Sequence, residues 1–322
     1  MRILKIKKQW FLFLTIGIFL FFTACSQALP SSASTNVEIS PTSTVTPLVA
    51  GLKPDLVAPI TEPAVPLPSK SAEETLPVEA VLDPAQWMTW PEVPVVTQHA
   101  REIYLLGQSL GNDPHSFSIF GDCQSLPEVF LGPYETDPAK FSSLSLNLQE
   151  TVKFFEDSLI RNSPTSKTGT TSGALLWPEW HENKYGCTGN ESPMDCELRT
   201  HNPSFVLIMV GTHWEGARNE YYMRKILEAL LERGIVPILS TKADNREGDY
   251  SINLQMAKLA VEYDIPLWNF WPVTAELPNR GLYTKEVDRR LGDIYLTETA
   301  LELHRYSALQ VLDMVRRAVS GN

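Results

Sequence analysis

Four short apolar runs, each parted from the next by a polar or amphipathic stretch, constrain this chain more than anything else in it. They are "SFSIFG" (116–121), "SFVLIMVG" (204–211), "IVPILST" (235–241) and "IPLWNFW" (265–271). Runs this short that stay apolar on successive residues predict strands buried on both faces. Between and around them lie helical patterns. "AREIYLLGQSLG" ends at Gly111, "LNLQETVKFFEDSLI" puts Leu148, Val152, Phe155 and Leu159 on one face, and "EYYMRKILEALLERG" stops at Gly234. "SINLQMAKLAVEYD" follows the third run, and "TETALELHRYSALQVLDMVRRA", capped by Thr297, closes the chain. Strands alternating with helices pair in parallel through right-handed crossovers. The expectation is a three-layer α/β/α sandwich of flavodoxin type, with a mostly parallel, five-stranded sheet. In such sheets the groove lies beyond the carboxyl ends of the strands. The residues to inspect are Gly121-Asp122-Cys123, Gly211-Thr212-His213 and Lys242 through Asn245.

The first 98 residues have a different character. "MRILKIKKQW" carries Arg2, Lys5, Lys7 and Lys8 with no acid, and "FLFLTIGIFLFF" follows as an apolar core. This is the pattern of an export signal, and the run falls short of the roughly 20 apolar residues of a membrane span. "FTACSQ" comes next and resembles a bacterial lipobox, with Cys25 as the lipidated first residue of the mature chain. An ordinary signal peptide cut near Ala24 is the alternative. Residues 1–24 take four positive charges with them, so the formal net charge of −11 becomes −15. That acidity excludes a nucleic-acid partner, whose phosphates select Lys and Arg. Residues 25–98 hold half of the chain's 24 prolines among Ser and Thr, the composition of a disordered tether. "PAQWMTWPEVPVV" at its end, with Trp87 and Trp90, is a candidate strap onto the domain at 99–322. The organisation expected is signal peptide (1–24), tether (25–98) and one α/β domain, lipid-anchored on the extracytoplasmic face of the cell membrane.

Cys187 and Cys196 bracket "CTGNESPMDC", and in an oxidising compartment a disulfide is their expected fate. No further Cys or His pair stands at ligand spacing beside them, so neither a metal nor a cofactor is expected. Cys123 then remains as a thiol, at the end of the first strand. An inert buried thiol and a nucleophile are both open readings of it.

At this point the strand-end blocks resemble a known family. "FGDCQS" is similar to the Gly-Asp-Ser block of SGNH (GDSL-type) hydrolases, with Cys123 at the serine. "TSGALL", with Gly173, resembles the second block, and "MVGTHWEG" the third, which normally reads Gly-x-Asn-Asp. "NLQMAKLAVEYDIPLWNFW" matches the later helix and strand. The resemblance implies acyl-ester hydrolysis or transfer with Cys123 as nucleophile. The amides of Cys123 and Gly173 would form the oxyanion hole, with His213 as base or oxyanion donor. Gly211 opens the third block intact, and Asp122 keeps its place in the first. The family's Asp-x-x-His base is missing, because "RLGDIYLTET" puts Tyr295 at the histidine position, near Asp293. His115 precedes the first strand, and His304 lies nine residues past Tyr295, so strand and helix lengths place both far from Cys123. His181 and His201 are expected at the surface.

"TKADNREGD" places Lys242, Asp244 and Asn245 at the groove, as substrate contacts or as a polar turn. Trp177, Trp180, Trp214, Trp268 and Trp271 are candidates for a sugar-stacking rim, with core packing the alternative for Trp268. The expected substrate is an acylated glycan or other ester. The rival expectation is a catalytically degenerate relative that binds such a ligand without turnover.

Overall fold

In the computed structural model the described residues are 82–213 and 216–321. The signal peptide, Cys25 and most of the tether lie outside them, as does Trp214. A 3-10 turn at Pro84–Thr89 leads into α1 (Gln98–Leu110) and β1 (Asp113–Gly121). The long excursion that follows contains α2 (Pro133–Thr136), α3 (Pro138–Ser143), α4 (Leu146–Phe154) and α5 (Pro193–His201). The chain then runs through β2 (Pro203–Met209), α6 (Gly216–Glu232), β3 (Val236–Ser240), α7 (Ser251–Glu262), β4 (Leu267–Trp268), α8 (Phe270–Val273) and α9 (Glu298–Ser320).

The sheet order is β1-β2-β3-β4, and every pairing is parallel. Phe205, Val206, Leu207 and Ile208 of β2 and Val236, Ile238 and Leu239 of β3 are almost wholly buried, as two-sided strands must be. Helices α1 and α9 pack together on one side, and α6 and α7 on the other, completing the three layers. Four strands stand among the described residues where five were expected. The outer neighbour of β1 is reduced to one parallel bridge, Gly121 to Ser166. Two backbone bonds make it, from Gly121 N to Thr165 O and from Lys167 N to Gly121 O. The physical reason lies in "SPTS": Pro164 has no N–H for a ladder, and Ser163 and Thr165 bond each other and the Ile119 carbonyl instead.

Helix α4 also ends sooner than its apolar spacing predicts. Asp157 adopts φ +70°, yet Phe155 and Leu159 are buried at 1% exposure each, so the pattern correctly marks an inward face. In the excursion, the disulfide Cys187–Cys196 ties the loop before α5 to the helix. Glu197 on α5 is fully buried and held bidentately by Arg161 (2.9 and 3.0 Å), with Ser118 Oγ donating at 2.7 Å. The Ser118 hydroxyl, on β1, ties this ion pair and with it the excursion to the strand.

The segment before α1 is a strap packed on the domain. Trp87 and Trp90 are 3% and 6% exposed, and Trp87 lies against Trp271 and Tyr250 with ring centroids at 5.4 and 6.5 Å. Asn269, at the end of β4, is completely buried. Its Nδ2 donates to the carbonyls of Trp87 (2.8 Å) and Trp90 (3.1 Å), and its N–H donates to Glu92 O at 3.1 Å. One asparagine therefore satisfies two carbonyls that burial would otherwise strand. Replacing Trp87 by Ala should cost about 3–5 kcal/mol in urea unfolding, the range for emptying a buried aromatic site. Hydrogen exchange at the Asn269 N–H, which donates to Glu92 O, should accelerate with it; a variant as stable as the parent would mean that the strap does not belong to the folded unit.

Candidate active site

The turn after β1 is built around Gly121. A Cβ there would sit 2.2 Å from Ser125 Oγ, so only glycine lets the chain fold back this closely. Ser125 Oγ donates to Asp122 O at 2.7 Å and shares a hydrogen bond with Ser166 Oγ at 3.0 Å. Asp122 Oδ1 accepts the Gln124 N–H at 3.2 Å. These bonds brace the turn and hold Cys123, 7% exposed, at the carboxyl end of the strand.

Cys123 Sγ–H donates to Tyr295 Oη at 3.1 Å. The residue standing where the resemblance calls for histidine therefore meets the residue standing where it calls for serine. Gln124 sets this contact. Its Oε1 accepts Leu296 N–H (3.0 Å) and its Nε2 donates to Ile294 O (3.4 Å), gripping the backbone on both sides of Tyr295. The loop is closed on itself by Tyr283 N–H to Tyr295 O (3.0 Å) and by the Leu282–Leu296 bridge. Asp293 turns away to the surface, bonded to Lys285 (3.1 Å) and Asn279 (3.2 Å), which hold its carboxyl below the usual range.

The loop after β2 carries Gly211 and His213. Gly211 has φ +140°, and a Cβ would meet Ile252 Cγ2 at 2.7 Å, so the backbone here demands glycine. His213 Nδ1 accepts from Arg246 Nη1 at 2.9 Å. Burial lowers the pKa of His213, and the charge of Arg246 lowers it further. The imidazole is thus neutral, with its remaining proton on Nε2: a hydrogen-bond donor rather than a base. Gly173 and His213 line one open cleft of about 390 Å³ with Thr171, Ser172, Thr212, Tyr222, Arg218 and Arg246. Gly173 is a glycine for want of space, since a Cβ would lie 2.9 Å from the Tyr222 ring. Cys123 is not among the described residues that line this cleft.

Asp244 is 2% exposed and fully engaged, accepting from Thr212 Oγ1 (2.8 Å), Lys242 Nζ (2.7 Å) and the Arg246 N–H (3.2 Å). Asn245 shapes the following turn, its Oδ1 accepting the Tyr250 N–H at 2.9 Å. Both hold the loop that aims Arg246. Of the tryptophans, Trp268 is wholly buried, Trp271 is 9% exposed in the strap cluster, and Trp177 stands out at 54%. Lys167 Nζ lies 4.7 Å from the Trp180 ring centroid.

A second cavity, of about 40 Å³, lies beneath the groove and shares Thr212 with the cleft. Asp122, Gln124, Lys242, Asp244 and His304 line it. His304 lines it together with Ile294 and Leu296, the residues on either side of Tyr295. Its ring is packed among Phe130, Trp268 and Phe270, and burial pushes its pKa down to about 3, so it is neutral. His115 stays at the far end of β1, its Nδ1 3.0 Å from Phe154 O. His201 is half-buried rather than exposed, its Nε2 3.2 Å from Ser158 Oγ and 3.1 Å from Phe117 O.

Reading the sequence missed the roles of Gln124 and Arg246. Position beside a flagged residue was the only signal for either, since their partners come from distant segments.

Burial raises the Asp122 carboxyl to about 6, reinforced by Asp244 and opposed by the Gln124 N–H and Lys242. A carboxyl raised on folding contributes stability below its unfolded pKa, near 4, and loses it as pH rises through about 6. Asp122→Asn keeps the Oδ1 acceptor and cannot ionise. It should be more stable than the parent at pH 7.5 by on the order of 2 kcal/mol and equal to it near pH 4. His304 acts in the opposite direction, its contribution falling away as pH drops from about 6.5 towards 3, and it is common to both proteins. Urea midpoints that differ equally at both pH values would remove this account.

No family model matches the chain, and no curated protein matches it. Among solved structures it is similar to the psychrotrophic esterase EstA from Pseudoalteromonas sp., in a form inhibited by monoethylphosphonate, with 16% identity and a TM-score of 0.41. That match covers 62% of this chain and 97% of that one. A GDSL-like lipase from Bacteroides thetaiotaomicron VPI-5482 is similar at 16% identity and a TM-score of 0.39, over 67% of this chain and 99% of that one.

Proposed function

We propose that this chain is an exported SGNH-type protein whose groove accepts an acyl ester, with Cys123 as the acyl acceptor. The observation that carries the reading is the convergence at one end of the parallel sheet. Cys123 with Tyr295 closes β1, and beside it, across Thr212, lies the cleft with Gly173 and His213. Attack by the Cys123 sulfur on an ester carbonyl would develop charge on the carbonyl oxygen. The amides of Cys123 and Gly173 and the Nε2–H of His213 are donors of the required kind. Collapse of the adduct would break the ester C–O bond and expel the alcohol, protonated from solvent. The resulting thioester would pass its acyl group to water or to an acceptor hydroxyl, freeing the thiol. A neutral phenol oxygen is a poor base, so Tyr295 steadies the thiol without deprotonating it. Solvent takes the proton, and acylation should quicken as pH rises. The substrate would be an ester on an envelope or extracellular glycan, reached from a lipid anchor on Cys25.

The second reading is a groove that binds such a ligand without turnover. It is favoured by one observation: Arg246 occupies His213 Nδ1, which withdraws the groove imidazole as a base.

Incubation with p-nitrophenyl acetate followed by peptide mass spectrometry separates the two. We expect one acetyl group on Cys123, with p-nitrophenol release faster at pH 9 than at pH 7 and lost in Cys123→Ala. Equal release by Cys123→Ala would rule the thiol out as nucleophile, and no acetylation at any pH would leave the binding reading. Cys25→Ser should move the protein from the membrane to the soluble fraction of the producing cell; persistence in the membrane would refute the lipid anchor.

A further inference from the structure

The cleft of about 390 Å³ that holds Gly173 and His213 is lined, among the described residues, by Arg218, Arg246 and no carboxylate, in a chain whose net charge is −11. Overall composition therefore does not account for its sign. Arg246 is the better placed of the pair. Its Nη1 donates to His213 Nδ1 (2.9 Å) and Thr212 O (3.4 Å), which fixes the plane of the guanidinium. Among the described residues nothing accepts from its Nε and Nη2, and no carboxylate stands within ion-pair distance of it. That pair of parallel N–H groups is the edge that a carboxylate, sulfate or phosphate takes bidentately. The same contact that orients Arg246 leaves His213 with Nε2–H as a donor, and Thr171 and Ser172 supply hydroxyls to the cleft. Asp244, engaged by Lys242 and Thr212, holds the Arg246 backbone, so the edge is preorganised by buried partners.

We propose that this cleft is an oxyanion-recognition site, and that the ligand of the groove carries a carboxylate, sulfate or phosphate group seated on the Nε/Nη2 edge of Arg246. The proposal rests on the groove being a ligand site, and it names the chemical class of what enters. An acidic carbohydrate fits the volume, with Tyr222 as a wall against a sugar face.

The test is binding without turnover, so that it stands apart from the acyl-transfer reading. The full chain is titrated calorimetrically with sodium galacturonate, sodium sulfate and sodium phosphate, with galactose as the neutral control. We expect at least one anion to bind and galactose not to, with the tightest anion identifying the group. Arg246→Gln should weaken it by about 10-fold or more, the range of a charge-assisted bidentate pair. Arg246→Lys, which keeps the charge but not the edge, should recover only part of the loss; its folding is checked by circular dichroism. No anion binding to the parent, or binding that both variants retain in full, overturns the proposal. p-Nitrophenyl acetate turnover without anion binding would overturn it while sparing Cys123 as acyl acceptor. Anion binding without turnover would do the reverse.

Discussion

The parallel register of β1 and β2 is the constraint on which the groove depends. Gly121 lies opposite Met209, and Ile208 opposite Leu239 on β3, so the strands reach their carboxyl ends nearly level. Three consecutive loops must then leave the sheet side by side. A one-residue slip would turn alternate side chains over and bury different residues, yet Phe205 through Ile208 have almost no exposure to trade. The apolar core thus fixes the register, and the register brings the loops that carry Cys123, His213 and Lys242 out at the same end of the sheet. Two of these loops also need a glycine where the chain folds tightly, at Gly121 and Gly211, for different reasons: Ser125 crowds the first, and backbone conformation dictates the second.

Second-layer contacts then give the groove its polarity. Asp244 is 2% exposed and its carboxylate is engaged by its own and the neighbouring loop. By accepting from Lys242, Thr212 and the Arg246 backbone it ties the loops after β2 and β3 together. Lys242 is bracketed in turn by Glu247 (2.5 Å) and by Asn253, whose amide bonds the Lys242 backbone at both its N–H and its carbonyl. A lysine so enclosed is spent within the loop, and its charge tempers two buried carboxylates rather than a substrate. That leaves Arg246 as the cation the same loop presents to the cleft.

Much of this was legible from residue order. The four apolar runs became the four strands, and the strand-end blocks became the groove, because two-sided burial leaves a continuous apolar signature. The strap was visible as two tryptophans closing a proline-rich tether. The fifth strand was not legible: its failure depends on Pro164 and on hydroxyls bonding one another, against an expectation drawn from the fold type. Residue counting along α9 did not show that His304 lines the small cavity with Asp122 and Gln124, because that depends on how the helix packs rather than on its length. Tyr295 was flagged as standing at the histidine position, but its grip on Cys123 needs Gln124, a contact spanning some 170 residues.

The two departures from the serine-and-histidine pattern make chemical sense only together. A serine hydroxyl is a weak nucleophile until a base takes its proton, so losing the histidine alone would silence the site. A thiol is intrinsically more nucleophilic than a hydroxyl and depends less on a neighbouring base. Tyrosine is also the side chain of nearly the right reach and shape to fill an imidazole's place while still meeting the sulfur through a polar atom. On the proposed reading, the pair Cys123–Tyr295 would keep the reactivity in the sulfur itself, with the phenol holding it in place through the 3.1 Å contact.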